Sequence, residues 1–127
     1  MLSKMIMIGS AILLALAGIS LSFLPQEIST YLSGSSHPVF SLALQLLGAL
    51  YLGMAMLNWM NKNKLLGGIY GRPITMANFI HFLVGGLSLV KATSVANQPA
   101  FIITTIIYST FAVGFGYLWL NTPKSVK

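Results

Sequence analysis

The chain has 127 residues, of which 56% are hydrophobic and only 6% charged, with seven Lys and Arg against a single acid, Glu27. A soluble domain carries about a quarter of its residues as charges, so a mean hydropathy of +0.83 with so few of them excludes a fold clothed in a polar surface. The formal charge of +6 would raise nucleic acid for a soluble protein, but here the basic residues flank apolar segments, where they meet anionic headgroups and set topology.

The first apolar segment covers about residues 5–24 and stops at Pro25. Lys4 precedes it, as a basic residue precedes the apolar stretch of a secretory signal peptide. Against cleavage, the segment is nearly of spanning length, and Ala15-Leu16-Ala17-Gly18 lies inside it with apolar residues continuing to Leu24. A retained helix is therefore expected. Residues 26–37 are polar, rich in Ser with Thr and Gly, and read as a loop. The second segment, about 39–60, follows His37-Pro38 and ends on Asn58-Trp59, an aromatic at the interface, before Asn61-Lys62-Asn63-Lys64.

Residues 65–72 form a Gly-rich connection with Gly67, Gly68 and Gly71. Pro73 suits the first position of a third helix, expected over about 73–90, with Lys91 snorkelling from its end. Asn97-Gln98-Pro99 makes the turn into the fourth, about 100–120, closed by Trp119 and Asn121-Thr122-Pro123. The whole of 1–127 thus reads as one all-α transmembrane domain, a bundle of four spans of about 20 residues each. Lys4, Lys62, Lys64, Arg72, Lys124 and Lys127 then fall on one side of the membrane and Lys91 alone on the other. That asymmetry puts both termini and the middle loop in the cytoplasm.

In lipid, apolar burial cannot drive helices together, so close backbone packing and interhelical hydrogen bonds must. Small residues mark the faces able to do so: Ala11, Ala15, Gly18 and Ser22 in the first segment, and Thr105, Ser109, Ala112 and Gly116 in the fourth. The second offers Ser41, Gln45, Gly48 and Ala55 together with the pair Ala49 and Gly53, and the third offers Asn78, His81, Gly85 and Ser88.

That third segment is the most unusual. An ionisable group within a membrane is costly and counts as a functional-site hypothesis, so His81 could relay a proton or contact a ligand. The plainer reading makes neutral His81 a hydrogen-bonding contact between helices, with Gln45 as its partner. Arg72, in Gly71-Arg72-Pro73, could clamp a lipid phosphate or an anionic substrate at a helix N-terminus, or serve only as a topology determinant. Tyr51, Asn58 and Tyr108 are weaker candidates. The candidate ligand-binding set is Gln45, Asn78, His81, Ser88 and Arg72.

Catalysis finds no support, since no nucleophile, base and acid fall together. The chain contains no Cys, which removes thiolate chemistry and Cys-ligated metals, and a lone His gives no metal-ligand set. The glycines at 67, 68 and 71 make no phosphate-binding loop, because no GxxxxGK[ST] follows. No cofactor is implied.

Size, four-helix layout and the stretches Leu46-Leu47-Gly48-Ala49-Leu50-Tyr51-Leu52-Gly53 and Gly71-Arg72-Pro73 resemble the DoxX-like group of small bacterial membrane proteins. Some members of that group accompany quinone-linked redox enzymes, and where they often carry an Arg near the start of the second helix this chain has Gln45. The small multidrug transporters rely on a Glu in the first helix, which is lacking here, and the Gly-rich Arg motif of the fluoride channels is not found. The function expected is a bacterial inner-membrane protein that binds a small lipophilic molecule, such as a quinone, or serves as an accessory subunit of a larger membrane complex or homo-oligomer. The alternative is a small oligomeric channel or transporter using the same polar face.

Overall fold

A computed structural model describes residues 2–63, 71–96 and 98–121. These residues form five helices: α1 Leu2–Phe23, α2 Pro25–Ser33, α3 Pro38–Met60, α4 Gly71–Val95 and α5 Pro99–Asn121. Four of them, all but α2, are long and apolar enough to cross a membrane. With 22 to 25 residues each, they are about 33–38 Å long, against a hydrocarbon core of about 30 Å. Their outward positions are apolar, with Leu16, Leu46, Leu87 and Val113 each more than half exposed. In water such a surface would aggregate, whereas in a bilayer it is solvated. The chain is a multi-pass membrane protein.

The spans match the sequence expectation in number and place, but α1 begins at Leu2 and so includes Lys4, and α4 begins by Gly71, so that Pro73 is not its first residue; two further differences are larger. Residues 26–37 are not simply a loop, because Pro25–Ser33 forms α2. Its polar side chains hid it, but its ends are well specified. Pro25 occupies the first helical position, where its missing N–H is no loss. Glu27 lies in the first turn, favourable to the helix dipole. Gly34 ends the helix at φ 80°, a left-handed conformation suited to Gly, and its N–H donates to the Thr30 carbonyl at 2.8 Å. The second difference is α4, which continues to Val95 and so contains Lys91 instead of ending before it. Its last hydroxyls support the extension: Thr93 Oγ1 donates to the Val90 carbonyl and Ser94 Oγ to that of Lys91.

Contacts gather the chain into two compact units, Met7–Lys62 and Asn63–Lys127, the latter together with Met1–Ile6. In the first, α1 and α3 run antiparallel and touch backbone to backbone. A Cβ at Gly18 would stand 2.9 Å from the Gly48 carbonyl oxygen, and one at Gly48 would stand 2.9 Å from that of Gly18 and 2.6 Å from Ser22 Oγ. Toward the other end, Asn58 Nδ2 donates to Ser10 Oγ at 3.0 Å, and Ser10 Oγ donates to the Met7 carbonyl. Both side chains are fully buried. The Ala49 and Gly53 pair, expected as a contact face, is exposed instead, with nothing within 4 Å of a Cβ at Gly53. α3 turns Ser41, Leu44, Gly48, Ala55 and Asn58 inward.

In the second unit α4 packs along α5 around Phe82, which is fully buried. Its ring stacks on Phe115 at 5.7 Å and on Phe111 at 5.1 Å, and meets Tyr108 edge-on at 5.0 Å. At the neighbouring turn Gly116 leaves room for Phe79, whose ring stacks with Trp119.

Orientation is testable because the chain lacks Cys, so single introduced thiols have no background. Ser33, in the last turn of α2, and Asn63, just after α3, are both exposed, whereas Asn97 lies outside the described residues. An impermeant thiol reagent added to intact cells should label Ser33→Cys and leave Asn63→Cys unmodified. Labelling at 63 from outside would reverse the expected topology.

Candidate ligand-binding site

α4 presents Asn78, His81 and Gly85 at i, i+3 and i+7, one face of a helix. Asn78 is fully buried, and its Nδ2 donates to the Ile74 carbonyl at 2.9 Å. His81 lies one turn further along and is half-buried. Its ring packs edge-on to Phe82 at 4.9 Å, and its Nε2 shares a hydrogen bond of 3.2 Å with the hydroxyl of Tyr108 from α5. The two rings lie 5.4 Å apart at 53°.

Gly85 makes this pairing possible. A Cβ there would come within 2.6 Å of Tyr108 Cε2 and 3.0 Å of Cδ2, so any larger residue would displace the phenol ring. Gly86, beside it, is buried against the Tyr108 backbone side. Gly85 and Gly86 thus open a slot in α4, the Tyr108 ring fills it, and its hydroxyl ends one turn back at His81. Phe82 packs against both rings of the pair and is itself stacked on Phe111 and Phe115, an apolar floor beneath them.

The candidate residues separate as follows. Asn78 and His81 are brought together, with Tyr108 joining them as the direct partner of His81. Ser88 is exposed, and its Oγ donates to the Val84 carbonyl of its own helix. Arg72 is exposed in the first described turn of α4, and Gln45 is exposed on α3, in the Met7–Lys62 unit. Asn58, read from sequence as interfacial, is a buried partner of Ser10, a residue that nothing in the sequence singled out. No single-sequence signal joined those two. For Tyr108 a signal existed in the Gly pair four and five residues beyond His81.

No protein-family model, no curated protein and no solved structure matches this chain. The chemistry of the site therefore stands on its residues alone. Among the described residues, no three His, Cys, Asp or Glu side chains gather where they could hold a metal ion. The only acid, Glu27, is in α2. What the α4–α5 face offers is an imidazole and a phenol in one hydrogen bond, a buried amide beside them, and a floor of aromatic rings. With Phe82 and Phe115 fully buried, the group on this face within reach of a ligand is the half-buried imidazole of His81 with the Tyr108 phenol behind it, a pair able to hydrogen-bond a polar oxygen.

Proposed function

We propose that this chain is a non-enzymatic protein of the bacterial inner membrane that binds a small lipophilic molecule with a hydrogen-bonding head, a quinone being the type, beside His81. It would act as an accessory subunit of a membrane complex or as a homo-oligomer, with both termini in the cytoplasm. The observation that carries this reading is the His81–Tyr108 hydrogen bond, held half-buried on an aromatic floor by the glycine slot at 85 and 86. The likeness to the DoxX-like group, some of whose members accompany quinone-linked enzymes, supports the same ligand class.

The test is equilibrium binding of a short-chain quinone to the purified protein in detergent. A neutral hydrogen bond contributes about 0.5–1.5 kcal/mol net, so Tyr108→Phe, which removes one oxygen and keeps the ring, should weaken binding roughly two- to ten-fold. His81→Gln should weaken it at least as much while the protein still folds, because the amide can hydrogen-bond but cannot reproduce the ring contact with Phe82. Quinone binding left unchanged by both variants would remove the site. The channel reading is separated by flux: liposomes carrying the protein should not leak ions or small solutes, and a leak abolished by His81→Ala would replace the binding role with a conducting one.

A further inference from the structure

The Met7–Lys62 unit carries a second feature that this function does not use. Ala11, Ala15 and Ala55 form the floor of an open groove of about 350 Å³ between α1 and α3, walled by Ile12, Leu52 and Met56 and ended by Trp59. The groove exists because the glycine contact and the Ser10–Asn58 bond hold the two helices close while the alanines fill little of the space above that contact. On α3 it runs from position 52 to 59, about 10 Å of helix, from near the middle of the span to its end.

Lys62 stands at that end. Its Nζ lies 3.3 Å from the centroid of the Trp59 ring, above an aromatic that also lines the groove. A cation on an indole face is held in place by the ring quadrupole, so this ammonium is fixed where the apolar groove meets the interface. No side chain among the described residues supplies a counter-ion for it. The sole acidic side chain of the sequence, Glu27, belongs to α2 ahead of α3, whereas Lys62 follows the end of α3, about 35 Å away along its axis.

The geometry points to a site for one anionic glycerophospholipid, its acyl chain in the α1–α3 groove and its phosphate at Lys62. Apolar volume, an interfacial indole and an uncompensated cation follow one another in the order in which such a lipid presents its chain, glycerol backbone and phosphate. The net negative headgroup is what separates this occupant from a zwitterionic lipid, which would bring its own cation to the same place.

Trp59 reports on the groove directly. With Trp119→Phe, it is the only Trp in the chain. The full-length protein would be reconstituted in phosphatidylcholine vesicles containing a minor fraction of phosphatidylglycerol, with bromine on the acyl chains of one lipid or the other. A basic residue near an anionic lipid surface contributes about 1 kcal/mol, which corresponds to roughly five-fold. Brominated phosphatidylglycerol should therefore quench Trp59 as though enriched about five-fold over brominated phosphatidylcholine. Lys62→Gln, each measurement taken against its own unbrominated control, should bring that ratio close to unity. Lys124→Gln, which removes another basic residue expected from the sequence on the same side, should leave it unchanged. Ala15→Leu, which raises the groove floor, should lower it. A parent ratio near unity, or a ratio insensitive to Lys62→Gln, would overturn the site. So would an equal fall with Lys124→Gln, which would mean diffuse surface charge. Absence of quenching by either lipid would mean that protein, such as a second copy of the chain, covers the groove, and would also overturn it.

Discussion

Gly18→Leu should destabilise the protein by about 3 kcal/mol or more, at the upper end of what overpacking a tight contact costs. The reason is what the new side chain would meet. The first carbon alone would press on the Gly48 carbonyl oxygen at 2.9 Å and on the Leu52 backbone nitrogen at 3.0 Å. Neither can rotate away, so α1 and α3 must separate, and the nearby Asn58–Ser10 hydrogen bond is strained with them. Gly116→Leu is the informative comparison. Its nearest obstacle is Cε2 of Phe79 at 2.9 Å, the far end of a side chain. That ring can swing aside at the loss of its stack on Trp119, and about 1 kcal/mol is expected. Gly53→Leu has open space before it and should be close to neutral. Equilibrium unfolding in mixed detergent micelles gives all three. A Gly18→Leu protein as stable as the parent would show that α1 and α3 do not touch through this pair.

Phe82→Ala is expected to cost about 3 kcal/mol, the lower end of the range for Phe→Ala in soluble cores. The lower end applies because lipid tails are as apolar as the ring, so that little transfer free energy is lost. What remains is the void and the broken contacts. The ring is fully buried and touches four others, those of His81, Tyr108, Phe111 and Phe115, and aromatic pairs contribute about 0.5–1.5 kcal/mol each beyond their area. Leu83→Ala, at the adjacent outward position, should change stability by less than about 0.5 kcal/mol, as surface substitutions do. The same unfolding measurement decides it, and a Phe82→Ala loss below about 1 kcal/mol would mean that the α4–α5 core can close the void. The variant should also weaken quinone binding, since the floor beneath His81 would be missing.

Why some of this could be read from the residues and some could not follows from the solvent. The four spans were legible because lipid demands long apolar runs, and the basic residues between them confirm where the runs end. α2 escaped notice because a polar helix of nine residues shows no such run. Only Pro25, Glu27 and Gly34 marked it. Helix faces are harder still. In water an apolar stripe gives away the buried side, but here both sides of each span are apolar, and only small or polar residues distinguish them. That signal located Gly18, Gly48, Asn78 and His81 on inward faces. It misled at Ala49 and Gly53, which are exposed, and it could not pair residues on different helices. Tyr108 with His81 and Asn58 with Ser10 are pairings of that kind.

Each compact unit is, apart from the first six residues, one uninterrupted stretch of chain: 7–62, then 63–127. Contacts inside each stretch join neighbouring spans, so loop closure is short and pairing is quick. During synthesis at about 5–20 residues per second, the glycine contact of α1 with α3 is available for several seconds before the last residues of α5 are made. Biogenesis can then proceed as two successive hairpin closures. The polar pair of the earlier hairpin, Ser10 with Asn58, lies wholly within residues 7–62, so that hydrogen bond can form while the ribosome is still at work.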